Sequence, residues 1–171
     1  MVMGILTMLI GGMMALVEAD LKKVVAYSTL SQLGLIVFAI GCGEWEICFF
    51  HLLSHALFKS MLFIACGCFI SLNYGAQDAR TMGDHGVGFP LKRLVIGVAC
   101  LSLAGYPLLG GFLSKDLIME TIVGSSVRGI LYFLFLVGCV FTVGYSLKIF
   151  YGGVASGESS SPITPSVGVM E

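Results

Sequence analysis

The chain reads as an all-α membrane protein of five transmembrane helices, one of them discontinuous. Composition is the first reason. Of 171 residues, 57% are hydrophobic and only 11% are charged, whereas a soluble domain carries about 25% charge. Patterning is the second: apolar residues gather into five long stretches parted by short polar connections. The third is a run within the fourth stretch, Gly105-Tyr106-Pro107-Leu108-Leu109-Gly110-Gly111, that no continuous helix accommodates.

The first span covers Val2–Val17, short for a bilayer crossing. The second runs from Val24 to Gly41 and the third from Glu46 to Leu72. The fourth, from Leu91 to about Val123, would be roughly 50 Å long if unbroken, well beyond a hydrocarbon core. It is therefore expected as two half-helices flanking an unwound middle, a layout that membranes tolerate only within protein or beside a wet cavity. The fifth covers Gly129–Tyr151. Residues 1–152 thus form the transmembrane unit, and 153–171, rich in Gly, Ser and Pro, read as a mobile polar tail. Lys22, Lys23, Arg80, Lys92, Arg93 and Lys148 fall on one side and Arg128 on the other. By the positive-inside rule the N-terminus is outside and the C-terminus inside.

Some functions are excluded at once. A net charge of −1 offers no basic surface to nucleic acid. The first apolar stretch lacks the basic lead and small-residue exit of a secretory signal. Cys42, Cys48, Cys66, Cys68, Cys100 and Cys139 fall mostly in apolar segments and read as small core residues, not as a disulfide framework or metal site.

The candidate chemistry lies in the spans. His51, His55 and Lys59 recur at every fourth position of the third span, on one stripe about 12 Å long. Ionisable groups at such depth are costly and point to function, often a proton relay. Lys59 is too far from either end to snorkel easily, and the histidines titrate near neutral pH. The bland reading is a hydrogen-bonded core pair and an anchoring lysine. Lys115 and Asp116 follow the helix break; Asp116 is expected to cap the second half-helix while Lys115 points inward. Asp20, Lys22 and Lys23 open the second span, where a charge cluster is usually topological. Tyr27, Ser28, Thr29, Ser31 and Gln32 form a polar patch suited to waters or to interhelical hydrogen bonds. Glu44, Glu46, Asp78 and Asp84 read as solvated loop charges, and the role of Glu120 stays open.

Four segments, in order, resemble one family. They are Asp20-Leu-Lys-Lys-Val-Val-Ala-Tyr-Ser-Thr-Leu-Ser-Gln-Leu-Gly34, His51-Leu-Leu-Ser-His-Ala-Leu-Phe-Lys59, Gln77-Asp-Ala-Arg-Thr-Met-Gly83 and Gly111-Phe-Leu-Ser-Lys-Asp116. Together they are similar to the chain 5 subunits of NADH:ubiquinone oxidoreductase, respiratory complex I. Those antiporter-like subunits hold two inverted five-helix repeats, and this chain resembles the second. The resemblance implies a proton relay through Lys59, His55, His51 and Lys115, with Lys22 and Asp20 on a connecting polar axis. It implies a proton-translocating subunit of the NADH:ubiquinone reductase with no redox centre of its own. NADH, FMN, iron–sulfur clusters and ubiquinone would belong to other subunits. Expected partners are the lipid bilayer, a chain supplying the first five-helix repeat, and the neighbouring chain 4 subunit. The expected location is the mitochondrial inner membrane, ahead of a bacterial plasma membrane. The first repeat and the family's long lateral helix are missing from this sequence, which suggests a fragment or a split half. Alternatives are a subunit of a multi-subunit sodium/proton antiporter and a purely structural membrane subunit.

Overall fold

A computed structural model describes residues 1–72, 75, 77–78, 90–124 and 129–152. Six helices account for nearly all of them: α1 Val2–Val17, α2 Leu21–Gly41, α3 Trp45–Leu72, α4 Pro90–Ala104, α5 Gly110–Gly124 and α6 Gly129–Phe150. The five expected spans are all present, with α4 and α5 as the two halves of the fourth. Three helices, Leu21–Gly41, Trp45–Ser71 and Gly129–Phe150, are long and apolar enough to cross a bilayer unaided. The segment 153–171 and most of the Gln77–Gly83 motif lie outside the described residues.

Close approach of backbones holds α1 against α2. A methyl group at Gly4 would lie 2.4 Å from the Phe38 backbone nitrogen, and one at Gly34 would lie 2.4 Å from that of Met8. With no side chains between them, the two helices come near enough for the Ser31 hydroxyl to donate to the Met8 carbonyl at 2.9 Å. In an apolar medium, where burial alone drives little association, such small-residue seams and interhelical hydrogen bonds are what hold helices together.

Buried apolar residues form two main clusters. One gathers Val24, Val25, Phe58, Leu62, Leu103, Tyr145 and Ile149. The other gathers Met8, Leu35, Phe38, Cys48, Ile118 and Phe135. They take opposite ends of α2, α3 and α6. Between them along the chain fall Ser28, Ser31 and Gln32 of α2, His51 and His55 of α3, and Thr142 of α6, all buried. The molecule therefore has a polar layer between two apolar ones, at mid-height of its longest helices.

The break between α4 and α5 is built residue by residue. Gly105 takes φ +87°, the left-handed conformation that glycine adopts without steric cost. Its N–H donates to Ser102 O at 3.2 Å and that of Tyr106 to Leu101 O at 2.9 Å, the paired bonds that close a helix with a Schellman motif. Pro107 then prevents continuation. The chain turns and restarts at Gly110, with the Gly111 Cα packed on the backbone of α4: a methyl at Gly111 would sit 1.8 Å from Ser102 O. At Gly110 the same methyl would meet nothing within 4 Å. Gly111→Ala should therefore destabilise the folded bundle by more than the ~1–3 kcal/mol of ordinary overpacking, while Gly110→Ala stays close to wild type. Thermal unfolding of the detergent-solubilised protein would separate the two; equal melting temperatures would contradict this account of the break.

Candidate functional site

The α3 stripe faces inward. His51 is fully buried and His55 and Lys59 are 6% and 4% exposed, while Phe49, Leu53, Leu57 and Ile64 on the other faces are open. Burial makes every polar atom on the stripe need a partner. Lys59 Nζ donates to Ser28 Oγ at 2.5 Å. Ser28 can accept because its own hydroxyl proton goes to Val25 O at 2.8 Å. His51 Nδ1 lies 2.8 Å from Ser114 Oγ, and its Nε2 lies 3.3 Å from Gln32 Oε1. Gln32 Nε2 in turn donates to the Tyr145 hydroxyl at 2.8 Å.

His55 sits between these two anchored groups. Its ring is nearly parallel to that of His51, with centroids 6.3 Å apart, and edge-on to Phe58 at 5.4 Å. Its Nε2 is buried with no hydrogen-bond partner among the described residues. A buried ring nitrogen left open in this way is a natural seat for a bound water.

Lys115 is placed by the break. It lies in the second turn of α5, and its Nζ donates back to Leu103 O at 2.6 Å and to Thr142 Oγ1 of α6 at 3.2 Å. The Schellman bonds satisfy Leu101 and Ser102, and the Leu103 carbonyl at the end of α4 points to the ammonium. The partial negative charge of a helix C-terminus favours a cation there. Ser114 and Lys115 are neighbours in sequence, so α5 hands one side chain to the histidine line and the next to the gap in the broken helix. Ser54 also reaches Ser114, Oγ to Oγ at 3.4 Å.

Other candidates lie apart from this line. Asp116 is exposed and six residues past the start of α5 at Gly110, so it does not cap the half-helix; the restart falls earlier, where Gly111 fits against α4. Glu120 is exposed one turn further on. Lys22 is exposed on the first turn of α2. The ion pair at that end belongs to Lys23, whose Nζ is 2.6 Å from Asp20 and 3.7 Å from Glu18. Asp20 also forms an isolated backbone bridge with Asp78, and the Leu21 N–H donates to Gln77 O at 3.0 Å, so the start of the third motif docks on the start of the first. Near the same end Lys148 of α6 donates to Leu16 O at 2.5 Å and to Glu18 O. Among the described residues no group of three or more His, Cys, Asp and Glu could hold a metal ion.

Ser114, Thr142 and Tyr145 were not among the residues singled out by sequence. A signal existed for two of them. Thr142, Tyr145 and Ser146 lie at i, i+3 and i+4 in an otherwise apolar helix, the spacing of a single helical face.

A broken helix set beside a buried lysine and histidine line, inside a bundle of apolar spans, defines a membrane antiporter-like subunit. Residues 1–142 match the family described as NADH:quinone oxidoreductase/Mrp antiporter, TM, and the chain belongs to that family. It is 43% identical over 160 residues to NADH-ubiquinone oxidoreductase chain 5 of Anopheles gambiae, covering 94% of this chain and 28% of that protein. The chain 5 of Artemia franciscana is 46% identical over 151 residues, covering 86% and 27%. The chain thus spans about a quarter of the length of these relatives. Among solved structures it is similar to a chain of the Mrp complex from Dietzia sp., with TM-score 0.76 and 32% identity over 86% of this chain and 17% of the other. It is likewise similar to a chain of the archaeal membrane-bound sulfane sulfur reductase, with TM-score 0.78 and 33% identity over 87% and 25%.

Removing the acceptor from Lys59 tests the site as a packed unit. Ser28→Ala leaves a buried ammonium without its partner and should cost about 1–3 kcal/mol. Thr29→Ala, which removes a hydroxyl bonded back to Ala26 O at 2.6 Å, should stay within about 0.5 kcal/mol of wild type. Denaturation of the two variants side by side checks the difference.

Proposed function

We propose that this chain is the second five-helix repeat of a chain 5 subunit of NADH:ubiquinone oxidoreductase, and that its buried polar layer moves protons within the membrane arm. One observation carries the reading. Two lysines and His51 are held in the apolar interior by hydroxyls, an amide and a helix-end carbonyl, none of which is a counter-charge, with the buried His55 between them. Lys59 faces Ser28 and Lys115 faces Leu103 O and Thr142. A structural pair would be matched with a carboxylate; neutral partners leave each lysine able to lose its proton and stay satisfied. The identity to chain 5 relatives, 43% and 46% in the two cases given, supports the same reading.

The groups line up from Lys59 along α3, past His55 and His51, to Ser114, and then one residue along α5 to Lys115. Protons would pass between these groups through bound waters, with the open Nε2 of His55 as one water seat. The charge on one lysine disfavours charge on the other at close range, so each transfer biases the next. Asp20 and Lys22, at the end of α2, would belong to the axis leading to or from the layer; Asp116 would stand beside it on the exposed side of α5. Electron transfer would take place elsewhere in the complex, with NADH, FMN, iron–sulfur clusters and ubiquinone in other subunits and none in this chain. A chain carrying the first repeat and the neighbouring chain 4 subunit are the partners this requires, in the mitochondrial inner membrane.

A second reading, a subunit of a sodium/proton antiporter, is favoured by the likeness to the Mrp complex. Replacement of either lysine by methionine distinguishes the readings in the assembled complex. Lys59→Met and Lys115→Met should each lower protons moved per NADH oxidised by severalfold while the complex still assembles. Undiminished pumping in both would overturn the relay; sodium-driven exchange without NADH oxidation would favour the antiporter.

A further inference from the structure

Tyr145, Gln32, His51 and Ser114 are joined in one line, and the line has a direction. The Tyr145 hydroxyl accepts from Gln32 Nε2 at 2.8 Å. That turns Oε1 of the same amide toward His51 Nε2 at 3.3 Å. An amide oxygen accepts and never donates, so His51 Nε2 must carry a proton. In the neutral ring Nδ1 then has the lone pair, and it faces Ser114 Oγ at 2.8 Å, a shorter contact than the 3.3 Å from that hydroxyl to Gly111 O.

We propose that Gln32, held by Tyr145, locks His51 in its Nε2–H tautomer, so that His51 takes up and returns its proton only through Nδ1 and Ser114. The inference rests on the proton-handling reading of the site and says which way one of its groups is wired. An incoming proton reaches the Ser114 oxygen as that hydroxyl's own proton passes to Nδ1. The ring becomes an imidazolium and Ser114 is again a neutral hydroxyl; the return reverses both transfers. Passage out through Nε2 is blocked, because the Gln32 carbonyl is far too weak a base to take the proton. Gln32, Tyr145 and His51 are all fully buried, so no water reaches the branch from outside. His51 is thus a side store loaded from the broken helix, not a link that passes protons straight through its ring. The near-parallel His51 and His55 rings, 6.3 Å apart, fit this: neither nitrogen of His51 is directed at its neighbour on the stripe. Gln32 and Tyr145 are positioning residues.

The test is the tautomer itself, read by nitrogen-15 solid-state NMR of histidine-labelled membrane complex, with the His51→Asn variant subtracted to isolate the His51 signals. Wild type should show the Nε2–H form. Gln32→Met should lower the ratio of Nε2–H to Nδ1–H by about fivefold, the worth of one neutral hydrogen bond. Gln32→Glu, which still presents an acceptor oxygen, should restore it. Tyr145→Phe frees the amide to turn and should give a smaller loosening, and it serves if Gln32→Met does not assemble. A dominant Nδ1–H form in wild type, or a ratio unmoved by both Gln32→Met and Tyr145→Phe, would overturn the proposal. These signals do not depend on pumping: full pumping by the lysine variants would sink the relay while leaving the tautomer result to stand or fall alone.

Discussion

An ammonium group in the middle of an apolar bundle is tolerated only where the protein turns oxygen atoms toward it, and the rest of this structure is arranged around meeting that demand twice. For Lys115 the oxygen is obtained by ending a helix. Gly105, Pro107 and the restart at Gly110 close α4 in mid-bundle and leave Leu103 O facing the lysine. A continuous helix would have spent that carbonyl on its own hydrogen bond. For Lys59 the oxygen is a serine hydroxyl from the neighbouring α2.

Close helix contact is what makes these short bonds possible. The glycine seam between α1 and α2 lets Ser31 reach Met8 O. Gly111 does the same for α5 against α4. The apolar clusters lie on either side of the polar layer, and within that layer the buried His55 Nε2 has no hydrogen-bond partner among the described residues. Packing, helix breakage and polar chemistry are therefore one arrangement: loosening a glycine contact would misplace oxygens that a buried charge depends on.

The spans were legible because each rests on local content: long apolar runs for α2, α3 and α6, and a Gly-Pro-Gly cluster for the break between α4 and α5. The α3 stripe was legible for the same reason, since a four-residue spacing on a helix fixes a face. Asp116 was misread because the restart of α5 is set by how closely Gly111 fits against Ser102, a tertiary contact that no capping rule contains. Asp20, Lys22 and Lys23 were grouped by position, and the three-residue helical spacing is what pairs Asp20 with Lys23.

By itself the sequence determined the class, the number of spans, the place of the break and the identity of the buried ionisable groups, because hydrophobic length, proline and glycine chemistry and helical period act within a few residues. Only the tertiary structure decided what those groups touch. The partners of Lys59, His51 and Lys115 come from α2, α4, α5 and α6, as many as 113 residues apart for Gln32 and Tyr145. Hydrogen bonding is directional and short-ranged, so which oxygen meets which nitrogen is settled by helix packing, and with it the direction in which a proton can move.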